Sequence, residues 1–326
     1  MKIIEQIDIK NRSDMIYAKT VLKNILKHQR KKYDESFLIF ALMELSTNLI
    51  KHADSGEIWI LKSDNEILIA SLDYGKGIKD ISWATKKGVT SLNNSLGLGL
   101  YQLKNSDYYT IDIFSLSKKE FHGTIVLLKP RDFKKSIISL QQNYIGEHIS
   151  GDMFAKKGKF LILADGSGHG KKANQTVQFI KSFFYNNSFS CLLIDEFFQK
   201  LHNQIKEKML RGAVMAIFEV TKNSVQICSV GNISIWYKKG KNYFSIKQKN
   251  GIIGEVFSSI AKEKIELSKE TKILATTDGL DINKIEKILS IVPQNISSEL
   301  LALTLIHFAS VKSDDKSVII IQKEEE

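Results

Sequence analysis

The sequence predicts a chain of mixed α/β class in two domains, each a sandwich of strands and helices. Three observations carry this. The chain has 326 residues, roughly two domains of ordinary size, and 43% of them are hydrophobic, enough to give each domain a core. Period-two and period-3.6 hydrophobic patterns alternate along both halves. Residues 129–136, KPRDFKKS, hold one of only two prolines and four basic residues, and we place the joint there, between domains spanning 1–130 and 137–326.

In the first domain, residues 3–9 alternate like a strand, and 12–29 set Met15, Ala18, Val21, Leu22, Ile25 and Leu26 at helical spacing. Residues 34–53 form a stronger helix, with Phe37, Phe40, Ala41, Leu45 and Leu49 on its apolar face. Strands are expected near 57–62 and 66–72, a Gly-dotted loop from 75 to 95, a helix from near Gly97, and strands near 110–116 and 123–128. The second domain opens with strand-like pieces at 137–144, 150–155 and 159–164. Helices follow near 171–185 and 192–207, then strands near 213–220, 224–230, 233–237, 272–276 and 317–322. Strand runs flanking a helix pair predict an α/β sandwich.

Composition narrows the function classes. The formal net charge is +11, but the lysines are scattered in pairs such as Lys86-Lys87 and Lys171-Lys172 rather than gathered into an arm. That pattern is a solvated basic surface suited to acidic or phosphorylated partners, with no nucleic acid expected. Cys191 and Cys228 are far apart and neither opens a Cys-x5-Arg loop, so disulfide, zinc and cysteine-phosphatase chemistry have no support. No apolar run approaches the roughly 18–20 residues of a membrane span, and MKIIEQIDIK lacks the apolar centre of a signal peptide. A cytoplasmic protein without membrane partners is the expectation.

Three pieces in the first domain suggest a nucleotide pocket. Glu44, Asn48 and His52 recur every four residues, so they share one helix face. A carboxylate there can take a proton from a hydroxyl, and an Asn oxygen one turn away can hold Mg²⁺. A solvated polar stripe would look the same. Asp73, Gly75 and Gly77 let backbone approach a flat ligand while a carboxylate accepts from an exocyclic amine, though an Asp-Gly turn uses the same residues. Ser95-Leu-Gly97-Leu-Gly99, running on to Lys104, opens a helix at glycines and frees N–H groups for phosphate.

With a late Gly123-Thr124, these pieces resemble the GHKL (Bergerat) ATPase family, and the short gap from Gly77 to Gly97 resembles its anti-sigma-factor serine kinases. The resemblance spans about residues 5–129 and implies a GHKL α/β sandwich. It implies Glu44 as general base, Asn48 as Mg²⁺ ligand and Asp73 at adenine. Gly75, Gly77, Gly97, Gly99 and Lys104 would line the ATP site. Histidine kinases share the pocket but need a phosphoacceptor His on a dimerising helix upstream, where only His28 stands.

The second domain carries four acidic stations: Gly151-Asp152, Asp165-Gly166-Ser-Gly-His169-Gly, Thr277-Asp278-Gly279 and Asp314-Asp315-Lys-Ser317. A single Asp-Gly is usually a turn, but a series at strand ends can gather hard cations such as Mg²⁺ or Mn²⁺. In this order the stations resemble PP2C-type phosphatases of the SpoIIE and RsbX-like branch, over about residues 137–323, and imply an α-β-β-α sandwich. By that resemblance Asp165 bridges two Mn²⁺ or Mg²⁺ ions and is catalytic, the Gly166 carbonyl joins one ion, and Asp278, Asp314 and Asp152 complete the site. Asp315 remains the alternative to Asp314. His169 is either an acid or a loop residue packing the turn before a helix, and Gly231-Asn232 is a tight turn.

The combined expectation is a regulator of a partner-switching pathway. A kinase-like domain would phosphorylate a STAS-type anti-anti-sigma protein, or bind it and a sigma factor, and a metal-dependent phosphatase would remove the phosphate. The alternative is a phosphatase governed by a non-catalytic ATP-binding module. Anti-sigma kinases often form homodimers, which the residues themselves do not require.

Overall fold

The computed structural model describes residues 1–29, 33–88, 99–117, 121–187, 194–311 and 314–324. They fall into two compact units, Met1–Lys134 and Lys135–Glu326, each with its own core.

The first unit runs β1 (Lys2–Ile9), α1 (Arg12–Lys27), α2 (Glu35–His52), β2 (Gly56–Ser63), β3 (Glu66–Leu72), α3 (Ile81–Ala84), α4 (Gly99–Lys104), β4 (Tyr109–Ser117) and β5 (His122–Pro130). Its antiparallel sheet has the order β1-β2-β3-β5-β4. Local chemistry sets the helix starts. Asn11 and Asp14 form a reciprocal capping box on α1, and the Asp34 carboxylate accepts from Phe37 N–H at the head of α2. Ala18 and Leu22 of α1 and Leu38, Leu42 and Leu45 of α2 pack with Ile58, Ile60, Ile67 and Ile69, alternate residues of β2 and β3. The stretch 75–95, expected to be loop, contains α3, capped by Asp80; Gly97 and the residues around it lie outside the described residues.

The second unit runs β6 (Ile137–Gln142), β7 (Asp152–Lys157), β8 (Phe160–Gly166), α5 (Gly170–Asn186), α6 (Ile194–Glu207), β9 (Ala213–Val220), β10 (Ser224–Val230), β11 (Ser234–Lys239), β12 (Asn242–Ser245), β13 (Ala261–Glu266), β14 (Lys272–Thr276), α7 (Ile282–Ile291), α8 (Ser298–Ala309) and β15 (Lys316–Gln322). Two antiparallel five-stranded sheets, β13-β10-β9-β8-β7 and β12-β11-β14-β15-β6, face each other. Leu161, Leu163 and Phe218 of one meet Ile235, Ile273 and Ile319 of the other in the inner core. The outer face of the first sheet buries α5 and α6 through Val177, Ile180, Phe198 and Leu201, and α7 and α8 lie along the second sheet. The unit is therefore a four-layer α-β-β-α sandwich. Among the described residues no helix is long and apolar enough to cross a membrane.

Candidate functional site

In the second unit the acidic stations meet at one end of the sandwich. Asp152 opens β7 and Asp165 nearly closes β8, and the two are direct cross-strand partners, so their side chains leave the same face. Asp278 follows the end of β14 and Asp314 precedes β15, a strand paired with it. Asp165, Asp278 and Asp314 line a cleft of about 490 Å³ together with Ser167, Gly168 and Asn232. Asp152 lies beneath, buried, its Oδ2 accepting from the Thr277 hydroxyl at 2.7 Å, which ties one sheet to the other. Thr277 Oγ1 accepts in turn from Ser317 N–H at 3.0 Å.

The Asp314–Asp315 pair divides its work. Asp315 is buried, and its two oxygens accept from Tyr144 N–H at 2.8 Å and Gly151 N–H at 2.7 Å. It ties the 143–151 loop to the head of β15, while Asp314 faces the cleft. Gly279 makes this packing possible: a Cβ there would stand 1.8 Å from the Asp315 carbonyl oxygen.

The carboxyls of the cleft are raised together by burial and by one another's charge. Burial pushes the Asp165 carboxyl up to about 10, and the charges of Asp152, Asp278 and Asp314 push it the same way. Burial lifts Asp152 to about 7, against the bond from Thr277 and with the charges of Asp315 and Asp278. Asp314 is raised by burial, then by Asp278 and Asp315. Among the described residues no group of three His, Cys, Asp or Glu side chains is closed to metal-ligand spacing, although Asp165 and Asp278 share a side-chain hydrogen bond. The carboxylates still share one cleft at the strand ends, and oxygen donors of this kind suit Mg²⁺ or Mn²⁺.

Several contacts around the cleft carry no mark in the sequence. Asn232 lines the cleft and donates Nδ2–H to Asp278 Oδ2 at 2.8 Å. His169 precedes α5 and makes no capping bond; its Nδ1 lies 2.8 Å from Glu147 Oε1, and its ring stacks on Tyr144 at 4.8 Å. Arg211 donates from Nη1 to the Ser167 carbonyl at 3.1 Å, touching the loop that leaves Asp165. No sequence signal announced Glu147 or Arg211, whose partners stand 22 and 44 positions away.

In the first unit, Asp73 Oδ1 accepts from Gly75 N–H at 2.7 Å and Thr124 N–H at 3.1 Å, joining two of the glycine pieces. Burial raises the Asp73 carboxyl, and these two bonds and the His52 charge oppose the rise. Gly77 sits at φ +73°, where an added Cβ would meet Leu116 O at 2.0 Å. Glu44 and Asn48 are half-buried on α2, and Glu44 turns toward α4, so that a Cβ on Gly99 would fall 2.0 Å from its Oε2. Lys104 points instead to Thr85, donating to its hydroxyl at 3.1 Å. Gly97 is outside the described residues.

A family model described as Stage II sporulation protein E (SpoIIE) matches residues 156–322. Among solved structures the chain is similar to RsbX in complex with magnesium, at 24% identity over 58% of this chain and 94% of that one, with a TM-score of 0.49. It is similar to the S. agalactiae serine/threonine phosphatase at 14% identity, covering 58% and 99%, with a TM-score of 0.49. It is also similar to the Mycobacterium tuberculosis serine/threonine phosphatase PstP/Ppp at 12%, covering 58% and 98%, with a TM-score of 0.46. No curated protein matches the chain.

Proposed function

The chain belongs to the SpoIIE family, and from that premise we propose that its second unit is a metal-dependent phosphoserine/phosphothreonine phosphatase of PP2C type. The observation that carries the reading is the acidic cleft, in which Asp152 and Asp165 oppose each other across β7 and β8 beside Asp278 and Asp314. Like charges in that register repel, and divalent cations relieve the repulsion. Asp165 would hold both ions, helped by the Gly166 carbonyl, Asp278, Asp314 and Asp152. When bound, such ions supply an activated water and neutralise phosphate charge. The chain's own residues position: Thr277 fixes Asp152, Asn232 fixes Asp278, and Asp315 closes the loop around them.

For the first unit we propose an ATP-binding site built on Asp73, Gly75, Gly77 and Gly99, with Asn48 holding Mg²⁺ and Glu44 as base of a serine/threonine kinase reaction. The chain would then act in opposite directions on one STAS-type anti-anti-sigma protein in a partner-switching pathway, with a sigma factor as a further partner. A second reading turns on Glu44 itself. Its carboxylate lies against Gly99, where the resemblance sets phosphate, as a base requires, whereas an ATP-sensing unit that governs the phosphatase would need Asp73 and the glycines but not Glu44.

Purified chain with a STAS-domain protein, Mg-ATP and Mn²⁺ tests both, followed by intact mass for wild type and Asp165→Ala. Phosphate accumulating on the partner only in the variant supports two opposed activities. A partner that wild type strips when pre-phosphorylated, but that neither form phosphorylates, sinks the kinase and leaves the sensor.

A further inference from the structure

The cleft is acidic inside and basic at its edge. Among its lining residues there is no lysine or arginine, yet four exposed cations border it. Lys171 and Lys172 follow the lining residue Gly168 by three and four positions, which sets their Cα atoms within about 11 and 15 Å of it. Arg211 is held by its bond to the carbonyl of Ser167, another lining residue. Lys249 stands between the lining residues Gln248 and Asn250, and its carbonyl accepts from Gly231 N–H at 2.8 Å, which fixes its backbone beside the cleft.

Two features bear on these cations, the first on Lys171 and Lys172 alone. First, Lys171 and Lys172 occupy the first turn of α5, a 17-residue helix whose first turn holds no acidic residue. Positive charge there opposes the helix dipole, so the position disfavours lysine on stability grounds. Glu147, the carboxylate nearest that helix start, is engaged with His169. Second, among the described residues none of the four cations makes an ion pair. The arrangement spends helix stability to hold unpaired positive charge around a site that itself attracts cations, and a ring of that sign favours an anion larger than phosphate alone.

We infer that Lys171, Lys172, Arg211 and Lys249 form a recognition rim for acidic residues flanking the phosphorylated residue of a partner protein. This rests on the phosphatase reading of the same cleft. The rim steers an acidic segment across the cleft mouth so that its phosphate enters among the aspartates.

The test compares two phosphoserine peptides, one flanked by Asp and Glu and one by Ala and Ser, with full-length chain and Mn²⁺. Wild type is expected to favour the acidic peptide about tenfold in kcat/KM at roughly 0.05 M salt, less as salt rises toward about 0.5 M. In K171E/K172E/R211E the ratio is expected to fall to one or below. The Tm of K171E/K172E should equal or exceed that of wild type, since glutamate suits the first turn, and the ratio should fall in this folded double variant too, apart from any loss of the Arg211 bond to Ser167. A ratio near one in wild type, or a preference unchanged in the triple variant, overturns the inference while leaving the phosphatase. Absence of turnover on either peptide overturns both.

Discussion

Asp165→Asn separates what the acidic cleft costs in stability from what it binds. Asp165 faces Asp152 across β7 and β8, and burial with the neighbouring charges lifts its carboxyl from 3.8 to about 10. Without bound cations the folded chain keeps a proton there that the unfolded chain releases. The folded state binds more protons between those values, so stability is greatest near the lower one and falls as pH rises through the window. At about pH 7 the unfolded value lies about three pH units below, and at about 1.4 kcal/mol each the ceiling is about 4 kcal/mol. Residual solvent contact reduces this to about 2 kcal/mol. Asparagine keeps the shape and removes the charge, so the Tm of the cation-free unit is expected to rise about 4–8 °C, at about 2–4 °C per kcal/mol. On the proposed reading the same change also deletes a cation ligand. Wild type should gain about 2.7 kcal/mol with Mn²⁺ at about 100 times its Kd, and the variant none. Calorimetric scans in EDTA and in Mn²⁺, from acid to alkaline pH, read both effects. An Asp165→Asn chain less stable than wild type in EDTA, or one showing the full Mn²⁺ shift, would refute the reasoning.

Other expectations follow from the same contacts. Asp315→Ala strands the Tyr144 and Gly151 N–H groups and should cost about 2–4 kcal/mol in urea unfolding, whereas Asp314→Ala should weaken Mn²⁺ binding with little loss of stability. Asn232→Ala removes the amide that orients Asp278 and should weaken Mn²⁺ binding about tenfold by titration calorimetry, with the urea midpoint of the cation-free chain unchanged. Glu44→Ala should keep ATP binding and lose phosphoryl transfer, while Asp73→Ala should lose ATP binding in the same calorimetric titration; wild-type transfer by Glu44→Ala removes that residue as base.

The elements legible in the sequence were an amphipathic helix and short apolar runs. Helix α2 lies where its period-3.6 pattern set it, and β3, β9, β10 and β14 lie where apolar runs of strand length set them, β3 and β14 being buried almost throughout. Helix α8 gave no stripe: from Ser298 to Ala309 nearly every residue is buried, so no polar face marks its period. Strand β13, AKEKIE, is a charged sheet edge with its lysines and glutamates exposed, and it reads like a loop. At the site, the four acidic stations stood out because aspartates, three of them beside a glycine, recur at strand ends. Which of Asp314 and Asp315 lines the cleft did not, since Asp315 is turned away by accepting from Tyr144, 171 positions away. Asn232 was hidden for the same reason: its partner Asp278 is 46 positions along the chain.

The most direct measurement is phosphate release from a phosphoserine protein or peptide by the purified full chain, in Mn²⁺, in EDTA, and by Asp165→Asn in Mn²⁺. Repeated turnover by wild type in Mn²⁺, abolished by EDTA and by the substitution, is the expected result. Turnover that persists in EDTA, or in Asp165→Asn at the wild-type rate, would contradict a cation-dependent site built on these aspartates.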